Sequence, residues 1–151
     1  MSLWLFLHLL GVALWMGGGF SALAVGFASK TEARSALATV ARLQWAIGRS
    51  LVFPGSLLTV VSGLILTFRL MHGPAMGNPW MVAMQVLGIL GALLALTVLV
   101  PTAARLARLD PMGEHAAYFD RMGARQRMVG WISAVLGLVA LLAGAVYRYG
   151  G

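Results

Sequence analysis

The sequence predicts an all-α integral membrane protein: an antiparallel four-helix bundle with both termini outside the cell. Three observations carry this. Of 151 residues, 60% are hydrophobic and only 10% charged, where a soluble domain carries roughly 25% charged residues. With a mean hydropathy of +0.88, such a chain has too little polar surface to face water, so lipid is its natural solvent. Four apolar runs each approach the ~20 residues that cross a hydrocarbon core of ~30 Å. The charges lie between these runs and gather on one side.

The whole chain, residues 1–151, reads as one domain with helices at about 3–28, 51–68, 79–100 and 128–148. The first run, Leu3 to Ala28, carries no charge. It has no basic n-region and about twice the length of a signal-peptide core, which predicts an anchor. Gly11, Gly18, Ala22 and Gly26 form a small-residue stripe on it, together with His8 and Trp15. Residues 31–50 read as amphipathic, with Leu37, Val40, Leu43 and Ile47 on one side. They either extend the second helix or lie along the interface. Pro54 and Gly55 predict a bend where the second helix enters the membrane. Asn78 is a good N-cap and Pro79 a good first helical residue, so the third helix starts there. Pro101 predicts a kink near its end, and Asp110-Pro111 its termination. On the fourth helix Gly130, Ser133, Gly137, Ala140 and Gly144 form a second small-residue stripe. In lipid such stripes let helix backbones approach closely, because apolar packing there has no hydrophobic drive.

Orientation follows from the basic residues. Lys30, Arg34, Arg42 and Arg49 lie between helices one and two, and Arg105, Arg108, Arg121, Arg125 and Arg127 between three and four. Only Arg69 and Arg148 lie on the other side. The positive-inside rule puts both long connections in the cytoplasm. The net charge of +7 is thus a topology signal, and no nucleic-acid partner is expected. The expected surroundings are the lipid bilayer, with other membrane proteins or a second copy of the chain as partners.

Absences narrow the chemistry. The chain has no Cys, which excludes disulfides, thiolate metal sites and covalently attached c-type haem. All four acids, Glu32, Asp110, Glu114 and Asp120, fall in the connections, so a carboxylate proton relay within the membrane is not expected. No phosphate loop or Ser-His-Asp set is present on one face.

His8 is the most informative residue. At ~1.5 Å per residue, it lies on the order of 8 Å below the outer end of its helix. An ionisable group at that depth faces the bundle interior and has a partner. Either it is a neutral imidazole bonded to a neighbouring carbonyl or hydroxyl, or it is a ligand. Gln85 is expected at the same depth, as are Ser62, Gly63, Thr67, Gly144 and Tyr147 on the neighbouring helices. His72 stands in the short outer loop Met71-His72-Gly73-Pro74-Ala75-Met76, with Met81 and Met84 on the next helix. Imidazole and thioether groups suit Cu(I), and both ligate haem iron. His8, His72, Met84 and Gln85 are therefore the candidate cofactor-binding residues, with His8 and His72 as the metal ligands. His115, beside Glu114, reads as a solvated loop residue.

The run Leu7-His8-Leu9-Leu10-Gly11-Val12-Ala13-Leu14-Trp15-Met16-Gly17-Gly18-Gly19 resembles the first helix of small four-helix bacterial membrane proteins similar to copper-resistance protein D. These are distantly similar to membrane-embedded protoporphyrinogen oxidases. Pro54-Gly55 with Ser62-Gly63-Leu64, Trp80, and Pro101 with Arg105-Leu106 extend the likeness over most of the chain. The resemblance implies a multi-pass protein of the bacterial inner membrane in which His8 is associated with haem b. The oxidase relatives carry a Lys after the Trp of the third helix. Here that stretch is Met81-Val82-Ala83-Met84-Gln85, which speaks against oxidase activity but leaves haem binding open. The copper-resistance relatives imply copper handling at the outer face. Three readings stand at this point, with enzymatic activity left open: a haem b redox or electron-transfer protein with His8 and His72 or Met84 as axial ligands, a non-catalytic subunit or assembly partner of a membrane complex, and a copper-handling protein.

Overall fold

A computed structural model describes residues 3–70 and 77–149. Among these every regular element is helical: α1 (Leu3–Ala28), α2 (Leu37–Ile47), α3 (Phe53–Leu70), α4 (Pro79–Leu94), α5 (Val100–Leu106) and α6 (Ala116–Tyr149). They combine into four spans long and apolar enough to cross a membrane, Leu3–Thr31, Arg34–Arg69, Pro79–Leu106 and Gly113–Arg148.

The distribution of side chains is that of a protein dissolved in lipid. The exposed surface carries Phe6, Leu9, Val61, Leu93, Val135 and Leu142, whereas the buried positions are dominated by Ala41, Ala92, Ala95, Ala103, Ala140 and Ala143 with Ser56, Ser62 and Ser133. Large apolar groups gain nothing by leaving lipid, so the interior selects for small residues that pack backbone against backbone.

Two breaks in α-helical register keep the second and third spans continuous past their prolines. A π-turn at Gly48–Val52 joins α2 to α3, with the Phe53 N–H donating to the Gly48 carbonyl. A second at Ala95–Leu99 joins α4 to α5, with the Val100 N–H donating to the Ala95 carbonyl. Pro54 and Pro101 follow these turns directly. Proline has no N–H to offer the preceding turn, and the five-residue spacing absorbs that defect where single π-turns usually occur. Residues 37–47 are thus an extension of the second span. The apolar part of the fourth span, 128–148, belongs to a helix that begins earlier, at Ala116. Charged residues do not end a helix. The break lies upstream, where Gly113 takes the left-handed conformation (φ 77°), which costs glycine little.

The connections are held at the arginine-rich end. Ala41, Leu106 and Phe119 form a small core there with Leu37, Leu109 and Met122 around it. The Arg34 guanidinium donates to the Pro111 carbonyl at 2.8 Å and pairs with Asp120 at 2.9 Å. At the opposite end the Asn78 side chain accepts from the Trp80 N–H at 2.9 Å, capping α4.

Within the membrane, α1 lies on α3 and α6 lies on α4, all antiparallel. A methyl group at Gly11 would lie 2.7 Å from the Thr59 backbone nitrogen and 2.9 Å from the Gly55 carbonyl oxygen. One at Gly55 would lie 2.5 Å from the Trp15 backbone nitrogen. Trp15, 5% exposed, is the large side chain of the central cluster with Val52, Ala92 and Ala95, and its ring covers Gly91 of α4. The α6 stripe is shared: Gly130 receives Leu23 and Gly137 receives Met16 of α1, while Gly144 receives Met84 and Ser133 donates to the Gly91 carbonyl at 3.2 Å.

These close approaches make a sharp prediction. Gly55→Ala should destabilise the protein by ~1–3 kcal/mol, as overpacking of a tight contact does. Gly17→Ala, whose Cβ meets nothing within 4 Å, should cost nothing and stabilise by up to about 1 kcal/mol, the helix-propensity gain of Ala over Gly. Reversible unfolding in detergent compares the two, and equal effects would contradict the contact.

Candidate functional site at the contact of α1 and α3

His8 occupies the second turn of α1, on the face that meets α3, and is half-buried. Its Nδ1 lies 3.0 Å from the Thr59 carbonyl oxygen. A carbonyl can only accept, so Nδ1 carries the proton and donates. Ser62 Oγ is 3.3 Å from the same nitrogen and donates its own proton to the Leu58 carbonyl. Room for the ring comes from Gly63: a Cβ there would lie 3.1 Å from His8 Cε1 and 3.3 Å from Nδ1. The carbonyl, hydroxyl and missing side chain that seat the imidazole therefore all come from one and a half turns of α3.

The neutral ring with its proton on Nδ1 has its lone pair on Nε2. Among the described residues, no hydrogen bond reaches Nε2. Metal-ligating histidines commonly have this arrangement, one ring N–H anchored on a carbonyl and the other nitrogen free to coordinate.

The other candidates lie around this seat rather than on it. Gln85 Nε2 donates to Thr67 Oγ1 at 2.8 Å, and Thr67 Oγ1 donates to the Gly63 carbonyl at 2.9 Å. Gln85 therefore joins the polar cluster of α3 one turn beyond His8, through Gly63, and bonds Thr67 rather than the imidazole. Met84 faces α6, where a Cβ at Gly144 would lie 2.8 Å from its sulfur. Gly144 thus serves α4 packing, not the His8 seat. His72 lies outside the described residues. His115 is exposed on the turn Gly113–His115. Among the described residues no three His, Asp or Glu side chains are grouped to hold a metal ion.

Sequence reasoning missed Thr59, the acceptor that orients the imidazole. Its carbonyl has no sequence signature, but its place on the small polar stripe Ser56, Thr59, Ser62, Gly63 does. The α3 hydroxyls bond to carbonyls of their own helix: Ser56 to Phe53 at 3.0 Å and Thr59 to Gly55 at 2.8 Å. They thus enter the contact with α1 already satisfied.

A double-mutant cycle of Gln85→Leu and Thr67→Val tests the α3–α4 link. Hydrogen bonds between membrane helices average ~0.6 kcal/mol and reach about 1.7 kcal/mol, so a favourable coupling in that range is expected from unfolding measurements. Zero coupling would show that the two side chains do not meet.

No curated protein and no solved structure matches the chain. A family model described as predicted integral membrane protein (DUF2269) matches residues 2–147, nearly the whole chain and all four spans. The chain thus belongs to the DUF2269 family of predicted integral membrane proteins.

Proposed function

We propose that this protein binds haem b through His8 and serves redox or electron transfer in the bacterial inner membrane. The observation that carries the reading is the anchored imidazole: Nδ1–H on the Thr59 carbonyl at 3.0 Å, with Nε2 left as the donor atom. The donor chemistry fits an axial haem ligand, and the first-helix motif around His8 resembles that of haem-associated relatives. Haem supplies one-electron redox chemistry when bound. The chain's own part is to hold the imidazole: Thr59 fixes its tautomer and Gly63 its place against α3. Met84 and Gln85 are engaged elsewhere, so of the candidates among the described residues His8 is the one that would hold the haem iron. No catalytic residue is assigned.

One observation favours a second reading. The same hydrogen bond fastens α1 to α3 beside the Gly11–Gly55 contact, as a non-catalytic subunit or assembly partner built for helix packing would require. Copper handling rests on His8 and His72, and of these two only His8 lies among the described residues.

Protein produced with ample haem should show a Soret band that His8→Ala and His8→Asn abolish and Met84→Leu leaves intact. The Asn amide can still donate to the Thr59 carbonyl, so His8→Asn should retain more thermal stability than His8→Ala. Absence of the band from the wild-type protein would remove the haem reading. A stability loss in His8→Ala without any band would favour the packing role.

The proposed topology places the arginine-rich connections in the cytoplasm, following the basic-residue asymmetry. The chain is naturally free of Cys, so single cysteines can report it. Lys30→Cys and Arg121→Cys should resist a membrane-impermeant maleimide in intact cells, whereas Gly77→Cys should react. The opposite pattern would invert the assignment.

A further inference from the structure

Near the arginine-rich end, two adjoining hollows open between α1, α2 and α6, and both are bounded by Gly26, Gln44, Gln126 and Arg127. One, of about 80 Å³, runs into the membrane region between Phe20, Leu23 and Trp131. The other, of about 210 Å³, is walled by Ser29, Phe119 and Asp120. A single water needs roughly 10–15 Å³ of such space, so each hollow has room for several times that.

Their polar groups are incompletely matched. Gln126 Oε1 is fully buried and has no hydrogen-bond partner among the described residues. Gln44 does not serve it: its Nε2 donates to the Ala22 carbonyl at 3.0 Å. The Arg127 guanidinium folds back toward Gly123, its Nη1 3.6 Å from where a Cβ would sit. The nearby carboxylate, Asp120, is taken by Arg34 in the one ion pair among the described residues. A second cation lies at the same end: Lys30 Nζ stands 4.7 Å over the Phe27 ring, which meets Trp131 edge-on at 5.9 Å. The site thus offers an unneutralised guanidinium, a buried acceptor in need of a donor and an apolar trough continuing into the membrane.

We propose that this groove binds one anionic phospholipid with a hydroxylated headgroup, of the phosphatidylglycerol type. The phosphate pairs with Arg127, the Gln126 side chain turns its Oε1 into the adjoining hollow to accept from a headgroup hydroxyl, and an acyl chain follows the Phe20, Leu23 and Trp131 trough. Charge complementarity selects an anion, and basic hollows between membrane helices are known to take anionic headgroups. The hydroxyl requirement comes from Gln126, because a phosphodiester alone has no donor. This site is separate from His8 and stands independently of the haem reading.

The test measures lipid binding by the full-length, detergent-purified protein, by native mass spectrometry or titration. The wild-type protein should prefer phosphatidylglycerol to phosphatidylcholine by about tenfold or more, the scale of a charge-assisted hydrogen bond. Arg127→Gln should abolish the preference. Arg125→Gln, which removes the same charge from an exposed position outside both hollows, should keep it. Gln126→Leu should erase the distinction between phosphatidylglycerol and phosphatidylmethanol, an anionic phosphodiester without a hydroxyl. Gly19 borders the apolar hollow and has nothing within 4 Å of its Cβ position, so Gly19→Leu should fill the trough and weaken binding of either lipid without disturbing the fold. Equal wild-type binding of phosphatidylglycerol and phosphatidylcholine would overturn the proposal. So would equal losses in Arg125→Gln and Arg127→Gln, or full competition by soluble glycerol phosphate. Should Arg127→Gln fail to fold, the Gly19 and Gln126 variants still decide the matter.

Discussion

The backbone of α1 meets the backbone of α3 at Gly11 and Gly55, and this contact sets the register of the bundle. Neither glycine has space for a methyl group. With the two helices this close, Trp15 reaches across to cover Gly91 of α4, and His8, one turn before Gly11, comes within 3.0 Å of the Thr59 carbonyl. The opposite side of α1 then presents Met16 and Leu23 to the glycines of α6. In lipid no hydrophobic force drives such packing. Close approach has to be made specific by small residues and a few hydrogen bonds.

Polar groups in the spans follow one rule. Ser56, Thr59, Ser62 and Thr67 all bond to carbonyls of their own helix, so the small polar stripe of α3 adds little desolvation cost to the interior. His8, Gln44, Gln85 and Ser133 bond across helices. These links lie in a region where an unsatisfied group is expensive. Gln126 Oε1 breaks the rule at the end of the bundle where cations gather, which is what distinguishes that hollow from ordinary helix packing.

Much of the fold was legible in the sequence because lipid imposes strong constraints: long apolar runs, small-residue stripes and the Asn78-Pro79 helix start each report one of them. The inward-facing His8 was legible for the same reason, since its stripe position points it at a neighbour. Its partner was not, because a main-chain carbonyl has no residue signature. Equal depth grouped Gln85 with Ser62, Gly63 and Thr67, and it bonds Thr67, but depth says nothing about azimuth, so which of these groups meets the imidazole was not legible. Met84 faces α6 for a similar reason, as Gly144 leaves it a slot. The start of α6 at Ala116 was hidden because hydropathy reports membrane contact rather than helicity. Nothing in the sequence singles out Gln126, set among arginines.

The central claim is that His8 is held by α3 in one tautomer with Nε2 free. Solid-state nuclear magnetic resonance on the ¹⁵N-histidine, ¹³C-threonine protein in lipid bilayers measures this directly. The account predicts a short-range correlation between a protonated His8 Nδ1 and the Thr59 carbonyl carbon. In the cofactor-free protein, Nε2 should give the signal of an unprotonated ring nitrogen. A proton found on Nε2 instead, or no transfer between His8 and Thr59, would contradict it.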